Sequence, residues 1–448
     1  MTRNLWFASA ISVVFLASAV AQAGVTPEEA AKLKTELTPF GAEKAGNKDG
    51  SIPAWDGGLT KALVPTTGPL PADQFPNEKP ILVIDQKNVE QYADKISEGQ
   101  KALIAKHSDY HLTVYPSHRT FAAPQWVYDN NIKNAINSQL TENGLSIKGA
   151  YGGTPFPIPK TGIELYWNHT LRYSPSAVRE KGSGYVGSAD GSITLAVVAT
   201  LNIQYPYYFS EGGAEKWNGD YLLMRQINTA PAFKAGEQIV IRDNISTENT
   251  RQAWQYLVGQ RRVRRSPTMG YDTPDFVASG ANYFDETFGF WGAPDRYEWK
   301  LVGKKEMYIP YNDNAFHLLS PEDAFKPYHP NSDKLRWELH RVWVVDLTLA
   351  SGKRHVVPKR RVYFDEDSYA VAMTDGYDAG GNLWRTTYTL PMVVADHGFV
   401  ATNGTIVHNL QADTYVGVGQ IVGGSYSVLE PHPDTYFTGD ALASEALR

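Results

Sequence analysis

The feature that most constrains this chain is its pattern from about Ser192 onward. Short runs rich in β-branched and aromatic residues are separated by turn signals, with no long helical stretch between them. The runs fall at 193–204, 221–228, 238–243, 255–265, 298–302, 307–310, 341–349, 354–364, 369–374 and 383–390. Residues 350–353 (Ala-Ser-Gly-Lys) and 378–382 (Asp-Ala-Gly-Gly-Asn) read as hairpin turns. Strands joined by turns, without crossover helices, pair antiparallel. The expected fold class is therefore mainly β (α+β): a curved antiparallel sheet with helices packed on it.

The N-terminus carries a different signal. Arg3, an apolar run over 5–20 and Ala21-Gln22-Ala23 match the charged, apolar and small-x-small regions of a cleaved export signal. Residues 1–23 are expected to be removed and the protein to work in the periplasm, with peripheral association with the outer membrane open to it. No other run has the length of a membrane helix, so an integral membrane protein is not expected. The chain has no cysteine, which excludes a lipid-anchoring cysteine and disulfides alike. Without Arg3 the balance is 41 basic to 48 acidic residues, a net −7, which argues against a nucleic-acid binder.

Residues 24–110 are expected to form a helical and extended wrapping segment, and 111–448 the β domain. Thr26-Pro27-Glu28-Glu29 has the residues of a capping box with proline at the first helical position. Residues 41–80 are rich in Gly, Pro, Asn and Asp and read as extended chain. Residues 89–107 carry apolar side chains at helical spacing, and 125–143 predict a third helix. Residues 162–171 are short and apolar, and periodicity alone leaves them open between helix and strand.

The densest chemistry lies in 254–265, where Trp254 and Tyr256 precede four arginines around Val263. On one continuous strand, Arg262 and Arg264 would point one way, and Arg261, Val263 and Arg265 the other. So many cations rarely sit in a dry core. They are expected on a solvated face beside acidic neighbours, or at a cavity rim facing an anionic head group or a partner. Trp254, Tyr256, Arg262, Arg264, Trp299 and Trp343 are the candidates for a ligand cavity or its rim.

This tract resembles the strand motif of outer-membrane lipoprotein-sorting proteins with the LolA/LolB-type fold. Other segments resemble the DUF1329 family within that superfamily. They are 46–55 (GNKDGSIPAW), 152–159 (GGTPFPIP), Trp167-Asn168-His169, 271–276 (YDTPDF), 297–307 (YEWKLVGKKEM) and 361–368 (RVYFDEDS). Together they span nearly all the chain after residue 23. The resemblance implies an antiparallel half-barrel closed by helices as a lid around an apolar cavity. It further implies an RND-type exporter and an outer-membrane DUF1302 protein as partners. It implies no reaction and no cofactor.

Enzyme and metal signatures are weak by comparison. Residues 182–187 match GxGxxG literally, but no strand is expected before them and a turn follows, so a nucleotide site is rejected. Asp365, Glu366 and Asp367 follow a strand and read as a solvated turn. Residues 45–56 partly imitate a calcium loop through Asn47, Asp49 and Asp56, but Ala45 stands at the first ligand position, and an Asx turn is the plainer reading. His107 and His111 have helical i,i+4 spacing without a further ligand, so no metal is expected. The leading expectation is a carrier or accessory protein for a lipid or other hydrophobic molecule, without catalytic residues. The alternatives are a hydrolase or carbohydrate-active protein with two facing carboxylates, and an assembly bridge that binds no ligand.

Overall fold

The computed structural model describes residues 24–248, 250–266, 269–419 and 422–446; the expected signal segment 1–23 lies outside them. Two antiparallel meanders merge into one open, sixteen-stranded sheet. The first consists of Ala177–Gly187, Ile193–Gln204, Asp220–Ala230, Gln238–Asn244, Arg251–Leu257 and Arg262–Arg265, each paired with the next. The second consists of Tyr297–Pro310, Trp337–Leu349, Lys359–Asp365, Val371–Tyr377, Leu383–Val394, Phe399–Asn409 and Thr414–Val418. Thr414–Val418 and Ser425–Val428 both pair with Ala177–Gly187, which joins the two meanders. Short strands Leu82–Ile84 and Leu112–Val114 extend the sheet beyond Trp337–Leu349, through a single parallel bridge, Trp337 to Val114. The mainly β, antiparallel expectation agrees with this architecture.

Several boundaries differ from the sequence reading, each for a local reason. The β region starts at Ala177, ahead of Ser192, and residues 182–187 lie inside that first strand. The runs 298–302 and 307–310 form one strand, because a register shift at Gly303 (φ 141°) absorbs the irregularity. The run 255–265 is a hairpin: Val258–Gln260 turn, Arg261 takes the left-handed conformation (φ 49°), and Arg262–Arg265 returns along Arg251–Leu257. The helix expected over 89–107 is broken. Val89–Lys95 is a 3-10 segment, Ile96 is extended, and Ser97 caps Glu98–Lys106 by accepting the Gln100 N–H at 3.2 Å. The helix expected over 125–143 stops at Asn137, because Gln139–Thr141 leaves to pair with Ser146–Lys148. The Thr26 capping box forms as expected, on the short helix Pro27–Ala31.

Side chains alternate across the first meander and cover its two faces differently. One face packs against helix Gly162–Thr170 and the loop 269–291 in the larger core, which contains Trp167, Ile203, Met224, Ile241 and Phe284. The opposite face is covered by the C-terminal segment, where Phe437 and Leu442 pack on Leu223, Val240, Trp254 and Val263. The second meander builds its own core with helix Glu98–Lys106, around Leu103, Ile104, Trp337, Leu339 and Tyr388.

Candidate functional site

The site arises where the inner face of the first meander carries small residues. Gly182 and Gly184 stand opposite Ala199 and Val197 in register, and Leu201, Met224, Ile239 and Ile241 continue the wall on neighbouring strands. At Gly184 an added Cβ would lie 3.1 Å from Val197 Cγ1 and 3.3 Å from Gly417 O, so the backbones there are close. Across the gap stand Val277, Phe284, Phe288 and Trp291 of the loop. The result is a cavity with about 710 Å3 of empty space, part of it open to solvent, and mostly apolar lining. Glu180, Gln226, Asp275 and Thr287 are polar groups in the wall, and none of the lining residues is a cation. Burial pushes the Asp275 carboxyl up to about 6, against hydrogen bonds from the Val277 N–H and the Asn282 amide.

The wall facing the sheet is a loop, and buried polar contacts hold it. Trp291 Nε1 donates to Asp243 Oδ2 at 2.7 Å, while Arg251 grips the same carboxylate at 2.6 and 2.7 Å and stacks over the Trp291 ring at 4.1 Å. Asp285 accepts from His355 at 2.9 Å and Arg360 at 3.1 Å. Burial alone would raise its pKa; Arg360 and His355 together hold it below the usual carboxylate range. Glu286 pairs with Arg385, and the Phe288 N–H donates to Thr405 Oγ1 at 3.0 Å. Lys234 Nζ reaches the carbonyls of Phe276 and Val277 at 3.3 and 2.7 Å.

Helix Gly162–Thr170 supports this loop. The Asn168 amide clamps Phe156, accepting its N–H at 2.8 Å and donating to its carbonyl at 2.7 Å. His169 Nδ1 accepts from Val371 N at 3.1 Å, so Nε2 carries the proton and donates to Phe290 O at 3.0 Å. Burial, aided by the Arg172 charge, pushes His169 down to about 3. Trp167-Asn168-His169 is thus a brace between sheet, loop and wrapping segment. A second recess, with about 650 Å3 of empty space, adjoins the cavity. It shares Phe288 and Trp291 and is lined further by Arg172, Tyr205, Tyr221 and Thr402.

The structure disperses the residues singled out from sequence. Trp254 and Tyr256 lie on the face opposite the cavity, and Trp254 packs under the C-terminal helix Gly439–Ala446. Trp299 packs against Tyr166 and Phe290, with ring centroids 5.0 and 5.2 Å away, and donates to Pro294 O at 3.1 Å. Trp343 is half-buried under the Lys304 ammonium, 4.6 Å from the ring centre. These four aromatics are absent from the cavity lining. Arg262 and Arg264 are exposed on the terminal strand of the sheet. Arg264 lies on the cavity side: Gln226, Ile239, Gln255 and Arg264 follow one another in register, and Arg264 donates to Gln255 Oε1 at 3.2 Å. No acidic partner among the described residues pairs with these arginines, so the expected acidic neighbours are not found.

Geometry bears on three further expectations. The carboxylate run is buried and not a solvated turn: Asp365 and Glu366 are 2% exposed and Asp367 5%. It is buried because cations arrive from distant segments. Arg119 grips Asp367 at 2.9 and 2.6 Å, and Lys304 pairs with Glu366. Burial and the neighbouring Asp367 push Asp365 upward. Asp365 and Asp367 approach His340 closely enough to share a cation, with ligand atoms within 4.8 Å. Arg119 already neutralises Asp367, however, and His340 Nε2 sits 3.0 Å from Glu338. In 45–56, Asn47 Oδ1 accepts the Ile52 N–H at 2.9 Å and Asp49 Oδ1 accepts the Ser51 N–H at 3.0 Å, an Asx-type turn. His107 and His111 separate, to Asp413 and Asp333, each at 3.0 Å.

Cavity-lining Gly182, Ala199, Ile239 and Phe288 were not among the candidates. The available signal was Gly182-Ser183-Gly184, glycines that weaken a strand unless backbone or ligand approaches there.

The chain is 40% identical over 392 residues to "Uncharacterized protein PA3922" of Pseudomonas aeruginosa, covering 86% of this chain and 85% of that one. Similar solved structures include a DUF1329 family protein from Desulfovibrio piger, with TM-score 0.44 and 12% identity, covering 63% of this chain and 97% of that one. Another is the LolA superfamily protein NE2245 from Nitrosomonas europaea, with TM-score 0.36 and 12% identity, covering 63% of this chain and all of that one (100%). The family model described as protein of unknown function (DUF1329) matches residues 83–443, and with it the chain belongs to the DUF1329 family.

Proposed function

We propose that this protein is a periplasmic carrier or accessory protein that holds a lipid or other hydrophobic molecule. The observation that carries the reading is the largely apolar cavity between the first meander and the loop 269–291. An apolar ligand there is stabilised by the area it removes from water, about 25 cal/mol per Å2. That driving force tolerates variation in ligand shape, as a carrier requires. No helix among the described residues is long and apolar enough to cross a membrane. The export signal read in residues 1–23 supports the periplasm.

Arg262 and Arg264 form a cationic strip at the sheet edge, two strands from Ile239 in the cavity wall, a distance of roughly 10 Å. In this reading the strip docks on a partner, which by family resemblance is an RND-type exporter or an outer-membrane DUF1302 protein. The test is mass spectrometry of an organic extract of protein purified from its native periplasm. One lipid or apolar metabolite, near stoichiometric, is the expected result. Arg262→Glu with Arg264→Glu is expected to keep the fold and weaken loading or partner capture by about ten-fold or more. A clean extract from folded protein that takes up no apolar probe sinks the carrier.

A further inference from the structure

Arg172 follows the brace helix and lines the recess beside the apolar cavity. Its Nε donates to Thr402 Oγ1 at 3.0 Å and its Nη1 to the His169 carbonyl at 2.9 Å. Both acceptors are neutral, and no carboxylate among the described residues pairs with it. Four other arginines of low exposure have counter-charges: Arg119 has Asp367, Arg251 has Asp243, Arg360 has Asp285 and Arg385 has Glu286. Arg172 is half-buried, and a guanidinium drawn partly out of water without an anion is held at a cost. Burial pulls the Arg172 pKa down, and its neighbours Tyr205 and Tyr208 offset this only in part.

The apolar cavity next door has the opposite character. Its charged wall groups are Glu180 and Asp275, both acidic. An anion placed there would find no cation among the lining residues, whereas one placed at Arg172 would supply the missing counter-charge. The two spaces adjoin at the Phe288 and Trp291 rings.

We propose that Arg172 is the head-group site for an anionic amphiphile, whose carboxylate or phosphate sits on its guanidinium while the apolar portion occupies the cavity past Phe288 and Trp291. This rests on the carrier reading and adds to it the charge and orientation of the cargo. The guanidinium can present two parallel N–H groups to either oxyanion.

The test uses the mature full-length protein and displacement of a bound fluorescent apolar probe. The competitors are a long-chain fatty carboxylate, a monoalkyl phosphate and a primary alcohol, all of one chain length. At neutral pH at least one anion is expected to bind about ten-fold tighter than the alcohol, and the better of the two identifies the head group. Arg172→Gln is expected to abolish that preference while leaving alcohol affinity within about three-fold. Equal affinity of alcohol and anions for the wild type overturns the head-group site and leaves the carrier standing. A preference that survives Arg172→Gln overturns it too. Failure of all three competitors and of the probe to bind folded protein overturns the carrier itself. Where Arg172→Gln fails to fold, equal wild-type affinities for alcohol and anions still overturn the site.

Discussion

Gly99 is where helix Glu98–Lys106 touches the sheet. A Cβ there would lie 2.0 Å from Thr386 Oγ1 and 2.4 Å from Asp375 Oδ1. The Gly99 N–H donates to that carboxylate at 3.1 Å, and the Thr386 hydroxyl lies at the same distance. Gly99→Ala therefore forces the helix outward and is expected to cost about 1–3 kcal/mol in denaturant unfolding; an unchanged midpoint would mean that the helix can shift freely. Asp375 has its own signature. Burial pushes it up to about 6, above its unfolded value, so its contribution to stability is fullest below about 3.8 and is lost as pH rises through about 6. Asp375→Asn should therefore destabilise more at pH 4 than at pH 7, by about 2–3 kcal/mol. An effect independent of pH would show that the carboxyl titrates normally in the folded protein.

At the scale of elements, the C-terminal segment covers the outer face of the first meander. Arg242 pairs with Asp434 at 2.8 Å, and Arg225 lies 4.5 Å from the centre of the Tyr436 ring. Gly439 lies so close to the Trp254 indole that an added Cβ would be 2.6 Å from Cδ1. Trp254 is therefore an anchor for this segment. Trp254→Ala is expected to cost about 3 kcal/mol and to speed proteolysis near residues 434–446, with little effect on probe uptake by the cavity. Loss of uptake with an intact C-terminus would place the indole in the ligand path instead. The loop 269–291 works differently: ion pairs to Arg360 and Arg385 tie it to the second meander, and the Trp291 and Lys234 hydrogen bonds tie it to the first, which makes it a fixed wall.

The whole molecule responds to acid through buried histidines. Burial pushes His169 down to about 3 and His317 to about 4. Both lie below the unfolded value near 6.5, so their contribution is complete above about 6.5 and is lost as pH falls through these folded values. His169 needs an unprotonated Nδ1 to accept from Val371, so acid should loosen the brace between sheet and loop. Stability measured from pH 7 to 4 is expected to fall less steeply in His169→Asn than in the wild type. Equal slopes would mean that His169 takes up its proton at the same pH folded and unfolded.

Local preferences determined the parts written in local code. Thr26 with Glu29 made a capping box, alternation marked strands such as Ile193–Gln204, and Asn47 and Asp49 made their Asx turn. Periodicity also required antiparallel pairing, because turns too short for a crossover separate the strands. What remained depends on groups far apart in the chain. Asp365, Glu366 and Asp367 look like a solvated turn until Arg119 and Lys304 arrive to neutralise them. Trp254 looks like a cavity aromatic until a segment almost two hundred residues later covers it, roughly the separation of Phe437 and Leu442. The cavity itself is a difference in volume between small residues on one strand and rings on a loop about a hundred positions away, such as Gly182 and Phe284. Spacing along a chain encodes which face a side chain occupies; only packing decides what, if anything, fills the space in front of it.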